Sequence, residues 1–400
     1  MKILIANPGS TSYKCKLLSV PEYETVFQAT VERIGDANGI YTWQWGNETS
    51  NRNELHITDY NAAVSLTLHS LQERIAIEGL SAIGFKVVLA RYITGCVELS
   101  DIVLDAMKTY QPLAPVHTDA YLTAIHAFAQ VMPDIPRIGL FETAFHSEIP
   151  PEAYLYGIPY EMYEKYGIRK YGFHGASHRY VAEYIQNHYA ADMDDVRIIS
   201  CHLGGSSSVC AIRNGASVDT SMGMSPQCGL LNAKRVGDLD PFALLYLMEQ
   251  EQLTIDATRE LLNTRGGVLG ISGISGDVRD VESAMKKGHE QALYAFKAFA
   301  YAVKRYIGEY LAVLNGTDYI VFTAGIGQRS PVMRAEILKD MDQLGIILDG
   351  LRNDSVDNEG LISTDDSPVK LIVIPTNEEL VVARAVAGYL NRVRNSKHLD

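Results

Sequence analysis

The chain has 400 residues, and at roughly 100–200 residues per domain that length predicts about two domains, each able to bury its own core. Hydrophobic residues make up 47% and charged residues 21%, which excludes a disordered chain, a collagen or a coiled coil. With 35 basic against 48 acidic residues the net charge is -13, so DNA, RNA and an anionic membrane are poor partners.

Five cysteines, at 15, 96, 201, 210 and 228, form no close C-x-x-C pair. The scatter reads as reduced thiols and predicts a cytoplasmic protein without a disulfide framework or a zinc site. The opening apolar run is stopped by Asn7-Pro8-Gly9, too short for a signal peptide or a membrane span.

In chain order, Lys2–Ala6 is an apolar run entering a Pro-Gly turn, and Tyr13–Leu18 resumes as a second strand. Val64, Leu68, Leu71 and Ile75 recur at helical spacing, with Gly79 as the expected stop. Ala82–Leu89 follows as a buried strand. Further on, Val196–Cys201 runs into Gly204-Gly205-Ser206-Ser207-Ser208, then Val209–Ile212 and Ala216–Asp219 read as strand pieces. Leu293, Phe296, Ala300, Val303, Ile307 and Leu311 mark a long helix that Gly316 closes. Tyr319–Thr323 is a strand followed by Ala324-Gly325-Ile326-Gly327, and Ser330-Pro331 is a helix start. Leu371–Ile374 is the last strand, and Thr376-Asn377-Glu378-Glu379 carries a capping-box pattern for the final helix.

Strand and helix alternate, the signature of an α/β layer. Residues 5–12 and 200–207 also echo one another as strand, Gly/Ser turn, strand. Exposed backbone N–H groups and serine hydroxyls in such a turn make an anion site, although ordinary hairpins use the same residues. Two turns at matching places favour a clamp for nucleotide phosphates in a duplicated α/β fold. Lys14, two residues past Ser12, falls on the same strand face as Ser10 and Ser12. The stretch from Arg169 to Arg179 sets His174 and His178 among glycines and cationic side chains, which favours a site over a structural histidine. Their spacing would suit a metal on a helix face, but no third ligand accompanies it.

Seven segments together carry a specific resemblance: 7–14 (NPGSTSYK), 141–146 (FETAFH), 171–178 (YGFHGASH), 219–223 (DTSMG), 237–241 (GDLDP), 322–327 (FTAGIG) and 374–380 (IPTNEEL). In this order, and over essentially the whole chain, they resemble the acetate kinase family. The resemblance implies a two-domain α/β fold of the actin-like ATPase type, with a site in the cleft between domains. It places an N-terminal domain at 1–147 plus 380–400 and a nucleotide-binding domain at 148–379. It implies phosphoryl transfer between ATP and acetate or propionate with Mg²⁺, in a homodimer.

Residue by residue, the resemblance implies that Arg91 holds the substrate carboxylate, with His117 close by. Glu142, His174 and Arg235 are catalytic, with His174 and Arg235 acting on the transferring phosphoryl group. Lys14, His202, Gly204, Gly205, Ser206, Asp277, Arg279, Gly325, Gly327 and Gln328 contact the nucleotide, and Asn7 and Glu378 hold magnesium. These types suit the chemistry. A guanidinium fork matches a carboxylate, hard oxygens match magnesium, and phosphoryl transfer needs charge neutralisation and in-line positioning. Two departures stand out. Gly205 replaces the family's asparagine, and Glu142 replaces its aspartate. They motivate one alternative, a nucleotide-binding or regulatory homologue with weakened turnover; a second alternative keeps phosphotransfer but uses another acid or a phosphoryl donor such as pyrophosphate.

Overall fold

The computed structural model describes residues 1–9, 11–76 and 79–396. The chain divides into unit 1, Met1–Ala144 with Asn377–Asp400, and unit 2, Phe145–Thr376. Both junctions fall three residues before the expected ones, so Glu378 and Glu379 belong to unit 1.

Unit 1 contains β1 (Lys2–Pro8), β2 (Ser12–Ser19), β3 (Thr25–Glu32), β4 (Gly39–Trp45), β5 (Asn51–Leu55), β6 (Ala82–Val87), β7 (Cys96–Glu98) and β8 (Arg137–Phe141). They form one sheet in the order β5-β4-β3-β2-β1-β6-β8-β7. β1 is antiparallel to β2 and parallel to β6, and β6 is parallel to β8. On one face lies helix Pro115–Val131, whose Phe128 meets Tyr13 and Phe85 edge-on at ring distances of 5.9 and 5.5 Å. On the other lies helix Glu378–Ser396, which packs on β1, β6 and β8. Gly84 permits that approach: a Cβ there would stand 3.0 Å from Val386 Cγ2.

Unit 2 contains β9 (Arg197–Leu203), β10 (Ser207–Arg213), β11 (Ala216–Thr220), β12 (Tyr319–Thr323), β13 (Gly360–Leu361) and β14 (Lys370–Val373), in the order β11-β10-β9-β12-β14-β13. β9 is antiparallel to β10 and parallel to β12, and β12 is parallel to β14. The order β3-β2-β1-β6-β8 in unit 1 and β11-β10-β9-β12-β14 in unit 2 is therefore one topology used twice. The faint echo of the two Gly/Ser turns is its trace in the sequence. The long helix Glu290–Val313 buries Phe296, Phe299, Val303, Ile307 and Tyr310 on one face of this sheet. Helix Gly175–His188 buries Val181, Ala182 and Ile185 on the other.

Three local expectations change. Helix Tyr60–Gln72 stops well before Gly79, because the Arg74 and Ile75 amides both turn back to the Leu71 carbonyl. β10 begins at Ser207, so only Gly204, Gly205 and Ser206 form the turn. The capping box at Thr376–Glu379 does not form. Asn377 Oδ1 accepts the Leu380 amide at 3.2 Å, Glu379 pairs with Lys16 at 3.7 Å, and Thr376 Oγ1 is buried without a hydrogen bond. Among the described residues no helix is long and apolar enough to cross a membrane.

Candidate active site

In unit 2 the chain between Lys170 and Gly175 presents His174 at a helix N-terminus. Gly172 makes this course possible: its φ is +75°, and a Cβ there would lie 2.6 Å from Thr220 and 2.7 Å from His146. His174 is itself left-handed, with φ 56° and ψ 26°, directly before helix Gly175–His188. A non-glycine held in that region carries strain, and such strain gathers at functional positions. Its ring stacks on His202 of β9 with centroids 4.2 Å apart, and its Nδ1 is 2.8 Å from Ser208 Oγ. His202 Nδ1 is 2.7 Å from Ser177 Oγ. Behind them His146 and His178 are fully buried. Burial lowers the His146 imidazole to about 4 and pushes His178 well below its ordinary value, so both are neutral at physiological pH. Both ring nitrogens of His178 bond to serine hydroxyls, of Ser200 and Ser208, which fits a network member better than a metal ligand.

The β9–β10 turn is knitted to a second loop. The Ala233 amide donates to the Gly205 carbonyl at 2.9 Å, and the Ser207 amide donates to Asn232 Oδ1 at 2.7 Å. The Arg235 guanidinium donates to Ser206 Oγ. Among the described residues no carboxylate pairs with Arg235. Burial brings its guanidinium down to about 10, still charged at neutral pH. A partly desolvated cation held by a serine, with no acid among the described residues, is suited to receive an anion. Asn232, itself buried, escaped the sequence reading because one asparagine in a polar loop carries no periodic signal.

Beside this turn opens a cleft of about 570 Å³. Gly204, Gly205, Asp277, Arg279 and Gly325 of the sequence-predicted set line it, as do Lys234, Ile326 and Arg329. His202, Ser206, Gly327 and Gln328 do not. Gly327 is buried in the short helix that follows β12, and the Gln328 carbonyl accepts from Arg334, which also holds the Gly327 carbonyl and Asn353. Arg334 thereby clamps the short helix Ala324–Arg329 from behind. Asp277 caps helix Val278–Lys286 by accepting the Arg279 amide at 2.9 Å, and it ion-pairs with the exposed Arg279 side chain. These contacts hold its carboxyl below the usual range.

Unit 1 carries the other predicted residues. Lys86, inside the apolar β6, was not among them. Its Nζ lies 2.9 Å from Glu142 Oε1 and 2.6 Å from Glu378 Oε2. Burial disfavours its ammonium, but the two carboxylates outweigh that and hold Lys86 well above the ordinary lysine value. Tyr121 OH donates to Asn7 Oδ1 at 3.3 Å, and its environment includes the charges of Lys86, Glu142 and Glu378, which puts Asn7 beside the triad. Lys14, opposite Asn7 in the β1–β2 register, faces a polar groove of about 290 Å³ with Lys16, Gln28 and Glu379. Ser10 lies outside the described residues. His117 is exposed in the first turn of helix Pro115–Val131. Arg91 sits in the turn after β6, its guanidinium 4.9 Å from the Tyr92 ring centre.

Among the described residues no three His, Cys, Asp or Glu side chains cluster to hold a metal ion. Asn7 and Glu378 offer hard oxygens, a donor set that suits magnesium only if phosphates and waters complete the shell.

A family model described as the acetokinase family matches residues 2–384. The acetate kinase of Natranaerobius thermophilus is 39% identical over 398 residues, covering 98% of this chain and all of that one. The crystal structure of Porphyromonas gingivalis acetate kinase superposes with a TM-score of 0.85 at 37% identity, covering 96% of this chain and 98% of that one. A propionate kinase from Francisella tularensis superposes with a TM-score of 0.88 at 31% identity and the same coverage. The two-domain α/β fold expected from the sequence is the fold of these structures. Likeness over nearly the whole length, in sequence and in fold, makes this chain a member of the acetokinase family.

Proposed function

We propose that the protein is an acetate kinase, reversibly transferring the γ-phosphoryl group of ATP to acetate to give acetyl phosphate and ADP. Propionate is the second acid, in keeping with the likeness to the Francisella enzyme. The observation that carries the reading is Arg235: a half-buried guanidinium with no acid partner among the described residues, hydrogen-bonded to the turn beside a nucleotide-sized cleft. The cleft, with Ile326 and Val278 in its walls, favours a nucleotide over pyrophosphate, which has no base to fill it.

In this reading unit 2 is the nucleotide-binding unit. Gly204, Gly205 and Gly325 let the nucleotide approach the backbone, and Asp277 and Arg279 border it. Arg235 neutralises the charge of the phosphoryl group, which carries no covalent chemistry for the protein to perform. His174 donates a hydrogen bond to one of its oxygens. In unit 1, Arg91 and Lys86 are the cations for the carboxylate end, with Glu142 and Glu378 setting the position of Lys86. Asn7 and Glu378 would hold magnesium, which supplies charge neutralisation at the phosphate oxygens. All five cysteines are free thiols, in keeping with a cytoplasmic enzyme. A homodimer is part of the proposal. Helix Pro241–Gln250 has no buried residue and shows Phe242, Leu245 and Tyr246 to solvent, an apolar face that a second copy would cover.

The test is a panel: acetate, propionate and butyrate, each with ATP, GTP and pyrophosphate, acyl phosphate being trapped by hydroxylamine. Acetate with ATP should give the highest kcat/KM. Faster product formation with pyrophosphate than with either nucleotide would overturn the donor assignment.

A further inference from the structure

Four buried or half-buried groups of unit 2 form a single hydrogen-bonded chain. Ser200 Oγ is 2.9 Å from His178 Nδ1, His178 Nε2 is 2.8 Å from Ser208 Oγ, and Ser208 Oγ is 2.8 Å from His174 Nδ1. Ser200, His178 and Ser208 are fully buried. A buried hydroxyl hydrogen needs an acceptor, and leaving one unmet is costly. Among the described residues these hydroxyls meet only ring nitrogens. Ser200 meets one, His178 Nδ1, and Ser208 meets two.

Two proton orders run in one direction along the chain; a third, in which His178 Nε2–H and His174 Nδ1–H both donate to Ser208, leaves the buried Ser208 hydrogen without an acceptor. In the forward order Ser200 donates to His178 Nδ1, His178 Nε2–H donates to Ser208, and Ser208 donates to His174 Nδ1. Every hydroxyl hydrogen then has an acceptor, and a neutral His174 carries its proton on Nε2. In the reverse order His174 Nδ1–H donates to Ser208, Ser208 donates to His178 Nε2, and His178 Nδ1–H donates to Ser200. The Ser200 hydrogen is then left in an apolar interior with no acceptor. The neutral state of His178 excludes a mixture in which both its nitrogens carry protons. Burial and the neighbouring His146 and His202 rings enforce that state.

We infer that Ser208 and His178 are positioning residues which, anchored by Ser200, place the proton of His174 on Nε2. The consequence for chemistry rests on the reading that His174 serves the phosphoryl group. With Nδ1 bonded to Ser208, the inference assigns that task to Nε2. Phosphoryl oxygens accept hydrogen bonds, so Nε2 must carry the proton. The reverse order would aim a lone pair at them. The chain thus gives a neutral imidazole the donor it needs without drawing a proton from solvent, because the hydrogen bond at one ring nitrogen decides the state of the other.

Two measurements test this. In long-range proton–nitrogen spectra of the full-length protein labelled with ¹⁵N-histidine, near neutral pH, His174 and His178 should each show a bare Nδ1 and a protonated Nε2. His174→Gln and His178→Gln spectra assign the signals. A protonated Nδ1 with a bare Nε2 on His174 would overturn the inference. In the acetate assay Ser208→Ala should lower kcat on the order of 10- to 100-fold, the usual cost of losing a partner that orients a functional imidazole, with both KM values unchanged. Ser208→Thr, which restores the hydroxyl, should recover most of that loss. Full kcat in Ser208→Ala would also overturn the positioning role. The spectrum needs no activity, so it stands apart from the functional reading. Should His174→Ala keep its kcat, the phosphoryl role of His174 falls while the spectrum still decides the proton.

Discussion

Lys86 Nζ lies 2.6 Å from Glu378 Oε2, although 292 positions separate the two residues in the chain. The first stands in the central strand β6, the second at the start of the final helix, and Glu142 at the end of β8 completes the group. One ammonium between two carboxylates leaves a net negative charge in a largely desolvated place. Such a group is costly unless it serves a cation or a reaction.

Removing the ammonium should therefore be more damaging than removing the nearby arginine. Lys86→Met strands two carboxylates and should cost about 3–5 kcal/mol of stability as well as activity. Lys86→Arg keeps the charge and should remain folded, so its kcat isolates the chemical contribution. Arg91→Leu, in a turn beside exposed Tyr92, should leave stability intact and raise the KM for acetate far more than that for ATP. Steady-state kinetics and urea unfolding of the three variants check this. An unchanged acetate KM in Arg91→Leu would leave Lys86 as the carboxylate cation.

The neutral buried histidines make unit 2 sensitive to acid. His146 has its folded value lowered from 6.5 to about 4 by burial, so between these limits the unfolded chain binds more protons than the folded one. Stability then rises with pH in that window and falls as pH drops from 6.5 towards 4. The loss through His146 alone is roughly 3 kcal/mol by pH 4. His178 adds a loss of the same sign. Urea midpoints of wild type and His146→Gln should converge as pH falls through this window, because glutamine cannot take up the proton. Parallel pH curves for the two proteins would contradict this.

Gly205 is exposed, and a Cβ built on it would meet nothing within 4 Å. The position therefore accepts an asparagine without collision. A side-chain amide reaching a phosphate oxygen contributes roughly 1.5–3 kcal/mol when well placed. Gly205→Asn should then raise kcat/KM for ATP about 10- to 100-fold if the contact forms in the transition state. A loss of activity would mean that the amides of the Gly204–Ser206 turn already saturate the phosphate and that asparagine only obstructs it.

Helix Pro241–Gln250 should govern self-association. Phe242 is 78% and Tyr246 64% exposed, on a helix with no buried residue. Phe242→Asp combined with Tyr246→Asp should convert a dimer into a monomer in sedimentation velocity and leave the unfolding of unit 2 unchanged. A doubly substituted protein that still sediments as a dimer would move the interface elsewhere.

Much of this architecture was legible from the residues. The strand Tyr319–Thr323 fell where its apolar run ends, and Ser330 caps the next helix by accepting the Met333 amide. The glycines that line the cleft were visible because turns beside a ligand need them. Lys86 was not legible, since a single lysine in an apolar strand gives no sign of partners reached only when β8 and the last helix come together. The Ser200–His178–Ser208–His174 chain was half visible. The two histidines announced themselves, but Ser200 stood in the apolar run before the turn and Ser208 was read as part of the turn, not of the strand that faces the histidines. Gly327 and Gln328 carried the motif without facing the cleft, because motif spacing does not reveal which side of a short helix a residue takes. Thr376 and Glu379 showed the pattern of a capping box, yet Lys16 drew Glu379 away and Asn377 took the cap.

The most direct test of the central claim is the rate of acetyl phosphate formation from acetate, ATP and magnesium by the wild type and by Arg235→Ala. Hydroxylamine traps the product, and calorimetry follows ATP binding in parallel. The wild type should form acetyl phosphate only when all three are present. Arg235→Ala should still bind ATP while losing on the order of 10³-fold or more in kcat. Acetyl phosphate formation by Arg235→Ala within a few-fold of wild type, or none by a folded wild type that binds ATP, would contradict the account.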